Sequence, residues 1–181
     1  TQRRSFEPNS ERRYESAYFW EERNRWFSDV WTDVTGELQA IEDEERRDRS
    51  AAYPFEIPYR LVNMYSVYGD TVLDPFWGTG TTSLAAMAAG RNSIGYELRQ
   101  AFVRSFEETV EELPELAREV LRRRLDDHEA FVDERLADGE EFEYEAENYG
   151  FPVTTKQETR IRFYAPVTVR DTDGGYVVSY E

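Results

Sequence analysis

The sequence predicts an α/β fold with a parallel sheet and a C-terminal β-hairpin extension, on three observations. Residues 71–97 read as a strand, a loop rich in glycine and threonine, a helix of small residues and a second strand, the order that opens a parallel α/β sheet. An acid closes each strand, Asp74 after the first and Glu97 after the second. Residues 159–180 alternate in strand fashion around Asp171-Thr172-Asp173-Gly174-Gly175, a good hairpin signal. The 181 residues suffice for one domain with a core and are too few for two ordinary ones.

The elements follow in order. Residues 1–13 are polar and arginine-rich, with a turn at Pro8-Asn9. Tyr14, Tyr18, Phe19, Trp20, Trp26, Phe27 and Trp31 crowd the next stretch; they fit a helix over 10–24 and a strand near 27–34, with the rings as core packing. Residues 42–50 (EDEERRDRS) read as a charged linker or a solvated helix end. In YPFEIPYR at 53–60, two prolines impose an extended approach to Pro58, which suits the first turn of a helix over 58–67. That helix should bury Leu61, Val62 and Tyr65. Gly69-Asp70 turns the chain into a short buried strand at Thr71-Val72-Leu73. Gly90 stops the helix at 81–89, and Asn92–Tyr96 forms the second strand. Residues 99–137 are mostly helical with a break or new start at Pro114, and 138–147 form an acidic loop. His128, on an acidic helix, is expected at the surface.

Composition removes much of enzymology. Cysteine is absent and His128 is the one histidine, so a disulfide framework, a thiol nucleophile and Cys/His zinc sites are out. No G-x-S-x-G surrounds a serine. No apolar run approaches the ~18–20 residues that cross a bilayer, and there is no signal-peptide pattern; a soluble, cytoplasmic protein is expected. The net charge is −16, and of 22 basic residues Lys156 is the one lysine. Such acidity resembles proteins of salt-loving organisms, whose excess charge keeps them soluble and whose like charges hardly repel at molar salt. An acidic interaction surface is the alternative. The charge weighs against nucleic-acid binding, an objection that high salt weakens because phosphate attraction is screened there anyway.

The chemistry lies between Val72 and Glu97. Gly78 and Gly80 permit a tight turn and close approach to a ligand. The following helix aims its N-terminal amides at the crevice along the carboxyl edge of the sheet. An acid in the position of Glu97 accepts hydrogen bonds from ribose hydroxyls in this topology, so the segment suits an adenosine-bearing ligand. A phosphate loop needs a lysine that is missing, and a dinucleotide fingerprint needs a third glycine where Ser83 stands. Asp74 sits badly with a pyrophosphate and well with a cation such as S-adenosylmethionine.

DPFWGTGTT at 74–82 resembles the S-adenosylmethionine motif D-P-F-x-G-[ST]-G-T-[TS] of the DNA amino-methyltransferases, which methylate N4 of cytosine or N6 of adenine. YPFEIPYRL at 53–61 is similar to the family's upstream segment [HY]-P-x-x-x-P-x-x-L, and Gly69-Asp70 and Gly95-Tyr96-Glu97 match as well. Phe27-Ser28-Asp29-Val30-Trp31 looks like the end of a catalytic half that precedes the cofactor half. The resemblance implies a Rossmann-like methyltransferase fold, of which this chain holds a part. It implies a site in which Asp74 lies near the methionine amino group, and Ile57 and Pro58 flank the methionine. Phe76, Gly78, Gly80, Thr81 and Thr82 line the cofactor loop, and Glu97 holds the ribose. It divides the chain into the end of a catalytic half and a linker (1–52), a cofactor core (53–100), and a helical segment with the hairpin (101–181).

The family's catalytic tetrapeptide [SDN]-P-P-[YFW], whose ring stacks on a flipped base, has no counterpart: the sequence holds seven prolines and no Pro-Pro. With Thr1 rather than Met at the start, something upstream is expected. Three readings stand: one piece of a split methyltransferase completed by a second polypeptide, a stretch of a longer chain, or an inactive remnant that binds the cofactor or a partner. DNA is the implied substrate, with cytosine N4 preferred because YPFEIPYRL looks nearest to that subgroup. Residues 138–181 are open to two roles, target recognition or extension of the sheet. No metal is implied.

Overall fold

The computed structural model describes residues 5–35 and 53–181; the charged stretch at 42–50 lies outside them. The N-terminal part holds two short helices, α1 (Glu11–Glu15) and α2 (Trp20–Trp26). The single helix expected over 10–24 is interrupted because the carboxylate of Glu22 accepts the Phe19 N–H at 2.9 Å, which starts a new helix there. No strand forms at 27–34; Ser28 bonds the backbone of Val30 instead, at 3.1 Å. Of the aromatics, Phe19 and Trp26 are core residues, whereas Phe27 stays exposed.

Helix α3 (Glu56–Tyr65) begins two residues before Pro58, where a missing N–H costs no intrahelical bond. Its buried side is Pro58, Tyr59, Arg60, Val62 and Asn63. Leu61 and Tyr65, expected inside, are exposed, because the helix turns its Tyr59–Val62 face to the core instead. Strand β1 (Thr71–Asp74), helix α4 (Thr81–Ala88) and strand β2 (Asn92–Gly95) form a β–α–β unit. The strands are parallel, with Val72 opposite Ser93 and Asp74 opposite Gly95. Gly90, at φ +71°, ends α4 in the left-handed conformation that L-residues avoid.

Helices α5 (Gln100–Val110) and α6 (Leu113–Ala137) follow, with Pro114 in the first turn of α6. The main core joins Tyr59 and Val62 of α3, Leu84 and Ala85 of α4, Phe106 of α5 and Leu113 and Val120 of α6, and Val72 packs on it from β1. The opposite face of the sheet is bare: Leu73, expected buried, is 61% exposed, since among the described residues nothing covers that side.

Strands β3 (Tyr144–Glu145) and β4 (Pro152–Val153) pair as a short antiparallel ladder. Strands β5 (Pro166–Thr172) and β6 (Gly175–Tyr180) make the expected hairpin. It forms a sheet of its own and does not extend β1–β2; Val169, Tyr176 and Val178 lean on the main core. A second core gathers Ala17, Phe19, Ala146, Val153 and Ile161. His128 of α6 is fully buried beside it, contrary to the surface position expected. Its ring stacks on Phe19 at 3.9 Å between centroids, and its nitrogens face Glu21 Oε1 at 2.8 Å and the Pro152 carbonyl at 3.0 Å. The acidic neighbours in sequence hid this inward face of the helix.

Candidate functional site: the loop between two carboxylates

The carboxyl ends of β1 and β2 are joined by the chain that follows them. Tyr96 N–H donates to the Asp74 carbonyl and Trp77 N–H to the Tyr96 carbonyl, each at 3.0 Å. The loop from Pro75 to Gly80 is therefore laced to the end of β2 as well as to its own strand. Asp74 Oδ1 accepts the Phe76 N–H at 3.0 Å, which bends the chain off β1. Glu97 Oε2 accepts the Gly78 N–H at 2.9 Å and its Oε1 the Arg99 N–H at 2.8 Å. Each carboxylate oxygen keeps a further lone pair for a donor from outside.

Gly78 and Gly80 both have positive φ, +55° and +82°. Gly80 is also the N-cap of α4, without a side-chain cap, so the first amides of that helix stay available. Its close neighbour is the indole of Trp77. A side chain on Gly80 would collide with Trp77 and Phe106, and one on Gly95 with Trp77. The indole Nε1–H donates to Ser83 Oγ at 2.7 Å, and the ring packs on Phe106 at 4.7 Å. Trp77 thus anchors the loop from beneath.

The structure gathers Asp74, Gly78, Gly80, Thr81, Thr82 and Glu97 around this loop. Phe76 projects outward, 90% exposed. Ile57 and Pro58 lie in the first turn of α3; that segment reaches the loop through Tyr53, whose hydroxyl meets Thr82 Oγ1 at 2.5 Å. Sequence reasoning missed Trp77, Tyr53 and Gly95 as parts of the device. Each stands inside a segment already singled out, but the need for Gly95 comes from a ring 18 positions earlier.

The stretch before residue 36 is fastened to α3. The Arg60 guanidinium, nearly buried, grips Asp33 with both arms at 3.1 and 2.6 Å and Glu56 at 2.8 Å. It also lies over the Trp31 ring at 5.2 Å. The hydrogen bonds from Arg60 hold the Asp33 carboxyl below the usual range. A groove of about 880 Å³ runs from Trp77, Gly95 and Glu97 to the hairpin tip at Asp173 and Gly174. Among the described residues no cluster of three or more His, Asp or Glu side chains is placed to hold a metal ion, and no helix is long and apolar enough to cross a membrane.

A glycine loop between two strand-ending carboxylates, at the carboxyl edge of parallel strands, defines the class of α/β proteins that bind ligands in that crevice. Within that class the chain belongs to the N6/N4 DNA methylase family, whose model matches residues 2–108. It is 54% identical over 169 residues to the type II methyltransferase M.MthZI of Methanothermobacter thermautotrophicus, covering 92% of this chain and 46% of that protein. It is 50% identical over 107 residues to M.MjaI of Methanocaldococcus jannaschii, covering 59% and 34%. The chain thus spans less than half the length of these relatives. A chain described as a DNA modification methylase of Thermus thermophilus, complexed with S-adenosyl-L-methionine, aligns with a TM-score of 0.48 and 33% identity, over 60% of this chain and 39% of that one; a likeness of that degree carries no weight for fold or ligand.

Proposed function

We propose that the chain is the S-adenosylmethionine-binding part of a site-specific DNA amino-methyltransferase. The observation that carries the proposal is the pair Asp74 and Glu97. Both sit at the carboxyl edge of adjacent parallel strands, and the glycine loop is bonded to each. Two carboxylates, with the sole lysine in the turn Lys156–Glu158, suit the ammonium end of a cationic ligand rather than a phosphate, and the free amides suit its carboxylate. Bound there, S-adenosylmethionine supplies a sulfonium methyl group that an exocyclic amine takes as the carbon–sulfur bond breaks, with loss of a proton. Asp74 would hold the ammonium end and Glu97 the ribose hydroxyls. Ile57 and Pro58 would flank the methionine, and Phe76, Gly78, Gly80, Thr81 and Thr82 would line the loop.

The reading extends to the whole enzyme. DNA is the substrate, with cytosine N4 preferred over adenine N6. The catalytic tetrapeptide is supplied by a segment outside this sequence, in the same polypeptide or a second one. Residues 1–52 end the catalytic half, 53–100 form the cofactor core, and 101–181 support it. The charge suits a cytoplasm of concentrated salt, with neither metal nor membrane required. A second reading is a non-catalytic subunit or inactive remnant.

Titration calorimetry with S-adenosylmethionine in molar KCl tests the site. Asp74→Ala and Glu97→Ala are each expected to weaken binding by about tenfold or more, the loss of one charge-assisted contact. Unchanged affinity in both variants would remove the assignment. The remnant reading is separated by assay: methyl transfer to DNA that appears once the complementary half is added excludes it.

A further inference from the structure

The aromatic rings that crowd residues 14–31 are not all spent on the core. Tyr18 is half-buried, Phe27 is exposed, and Tyr65 at the end of α3 is 72% exposed. The three form a chain of rings, with 5.8 Å between the centroids of Tyr18 and Phe27 and 6.1 Å between those of Phe27 and Tyr65. Tyr18 and Tyr65 line a cavity of about 660 Å³ together with Trp20, Arg13 and Arg23. Ser66 and Val67 line it too, just before the amino end of β1. Asp74 and Glu97 stand at the carboxyl end of the strands, about 10 Å of strand away, and neither lines this cavity.

The chain carries 38 acids against 22 bases, so a guanidinium has carboxylates to choose from. Arg12, Arg25, Arg60, Arg123, Arg124 and Arg135 each take one, whereas among the described residues Arg13 and Arg23 are in no ion pair. Both are exposed. Arg13 Nη2 donates to the neutral amide oxygen of Gln157 at 3.2 Å. Burial raises the Tyr18 pKa, and Arg23 and Arg13 are the charges that oppose it, so both guanidiniums lie within electrostatic reach of that phenol. The one acid of the lining is Glu158, 1% exposed. Its carboxylate is spent on the Trp20 N–H at 2.8 Å and on the Thr155 N–H and hydroxyl, each at 2.6 Å. The cavity therefore presents two unpaired cations beside an open ring. A guanidinium fork matches a phosphate, and an aromatic face matches a nucleobase. The volume falls in the range of small-molecule sites. An acidic peptide would satisfy the arginines and leave the rings unused.

We propose that this cavity is a second ligand site, separate from the cofactor loop, and that it takes one nucleotide. Arg13 and Arg23 hold the phosphate, and Tyr65 and Tyr18 stack on the base. A free mononucleotide and an unpaired stretch of a DNA strand present the same phosphate and ring, and the test separates the two sources. The site does not depend on the cofactor reading: a chain that failed to bind S-adenosylmethionine would still carry it.

Calorimetry on the full chain, in the lowest KCl that keeps it folded, compares thymidine monophosphate, thymidine, inorganic phosphate and a single-stranded oligothymidylate. Binding of the monophosphate assigns the site to a free nucleotide, and binding of the oligothymidylate alone assigns it to a strand. Thymidine and phosphate by themselves should each bind at least about tenfold more weakly, having lost one of the two contacts. Arg13→Gln and Arg23→Gln should each weaken the bound form by about tenfold or more. Tyr65→Ala should weaken it by about fivefold or more, and Tyr65→Phe should keep it, since the ring does the stacking. Arg170→Gln, at an exposed position of the hairpin, should leave it unchanged. Irradiation of the unmutated chain with iododeoxyuridine, carried as the monophosphate or within the oligonucleotide, should crosslink Tyr18, Trp20 or Tyr65, a readout that needs no variant to fold. S-adenosylmethionine has no phosphate, and its excess should not displace the probe. Four results would each overturn the site: no binding of monophosphate or strand, phosphate alone binding as tightly, affinity indifferent to both arginine changes, or displacement by S-adenosylmethionine.

Discussion

The imidazole of His128 is fully buried and has two acceptors to satisfy. Glu21 faces one nitrogen and the Pro152 carbonyl the other, with Glu158 close by and the rings of Phe19 and Phe151 on its flanks. The neutral ring can donate once, so the cation is the form that serves both partners. Burial opposes that charge, but the Glu21 hydrogen bond and carboxylate, the Pro152 carbonyl and Glu158 outweigh it, and the pKa is raised above 6.5. A group whose folded pKa lies above its unfolded value stabilises fully below the unfolded pKa and loses that contribution as pH climbs through the folded one. Thermal midpoints are therefore expected to fall as pH rises from about 6 to about 9, through the ordinary histidine range and beyond. In His128→Gln the fall should flatten, from a lower starting stability. Equal slopes in the two proteins would show that His128 stays neutral. Burial, working against the Thr155 and Trp20 hydrogen bonds, also raises the pKa of Glu158. A carboxyl raised in this way also lowers stability as pH rises, and the comparison with His128→Gln isolates the histidine's share. Sequence could not show the arrangement. The residues flanking His128 are charged, and its partners stand 107 and 24 positions away. The placement of Asp74, Gly78, Gly80 and Glu97 around one loop was legible because backbone chemistry at the strand ends sets it.

Helices α2 and α6 are also joined through the buried pair of Arg124 and Glu22. Arg124 reaches Glu22 with Nε at 2.5 Å and Nη2 at 2.7 Å, and its remaining arm meets the Tyr59 hydroxyl of α3 at 3.2 Å. The guanidinium also lies 4.2 Å from the centre of the Phe163 ring. Glu22 carries a second duty, accepting the Phe19 N–H that starts α2. Arg124→Met removes one partner and strands a carboxylate in the core, which costs ~3–5 kcal/mol. Adding Glu22→Gln removes the orphaned charge while leaving an oxygen for the Phe19 amide. The double variant is expected to regain a large share of that loss in a denaturant titration. A double variant as unstable as the sum of its singles would mean that the pair does not act as a unit. The β–α–β unit, the break at Pro114 and the hairpin were readable because turn residues and periodicity mark their ends. The split of the first helix, the exposed side of α3 and the irregular path of 27–35 were not. Two of these involve distant side chains: Glu158 adds to Glu22 at the start of α2 by accepting the Trp20 N–H at 2.8 Å, and Arg60 draws Asp33 to α3.

At the scale of the molecule, charge is unevenly spread. Residues 101–150 hold six arginines against seventeen acids, and helix α6 runs through them with its arginines and acids largely at the surface. In dilute buffer these carboxylates repel across the same surface that the two cores must hold together. Raising the ionic strength from about 0.1 M to about 1 M shortens the Debye length from ~10 Å to ~3 Å, below the spacing of neighbouring surface charges. The buried pair Arg124–Glu22 is screened far less. Salt should therefore remove repulsion and spare the attraction that fastens the helices. If that relief amounts to ~2 kcal/mol, the midpoint of thermal unfolding rises by ~4–8 °C. Two solutes separate the causes. KCl is expected to raise the midpoint steeply below about 1 M and to level off, as screening saturates. Sucrose, which strengthens burial without screening, should give a shallow, steady rise. Parallel curves for the two would assign the effect to solvent exclusion and leave the acidic surface without a role in salt. A midpoint that falls with KCl would show that the ion pairs at the surface, such as Arg25–Asp127 at 3.5 Å, outweigh the repulsion.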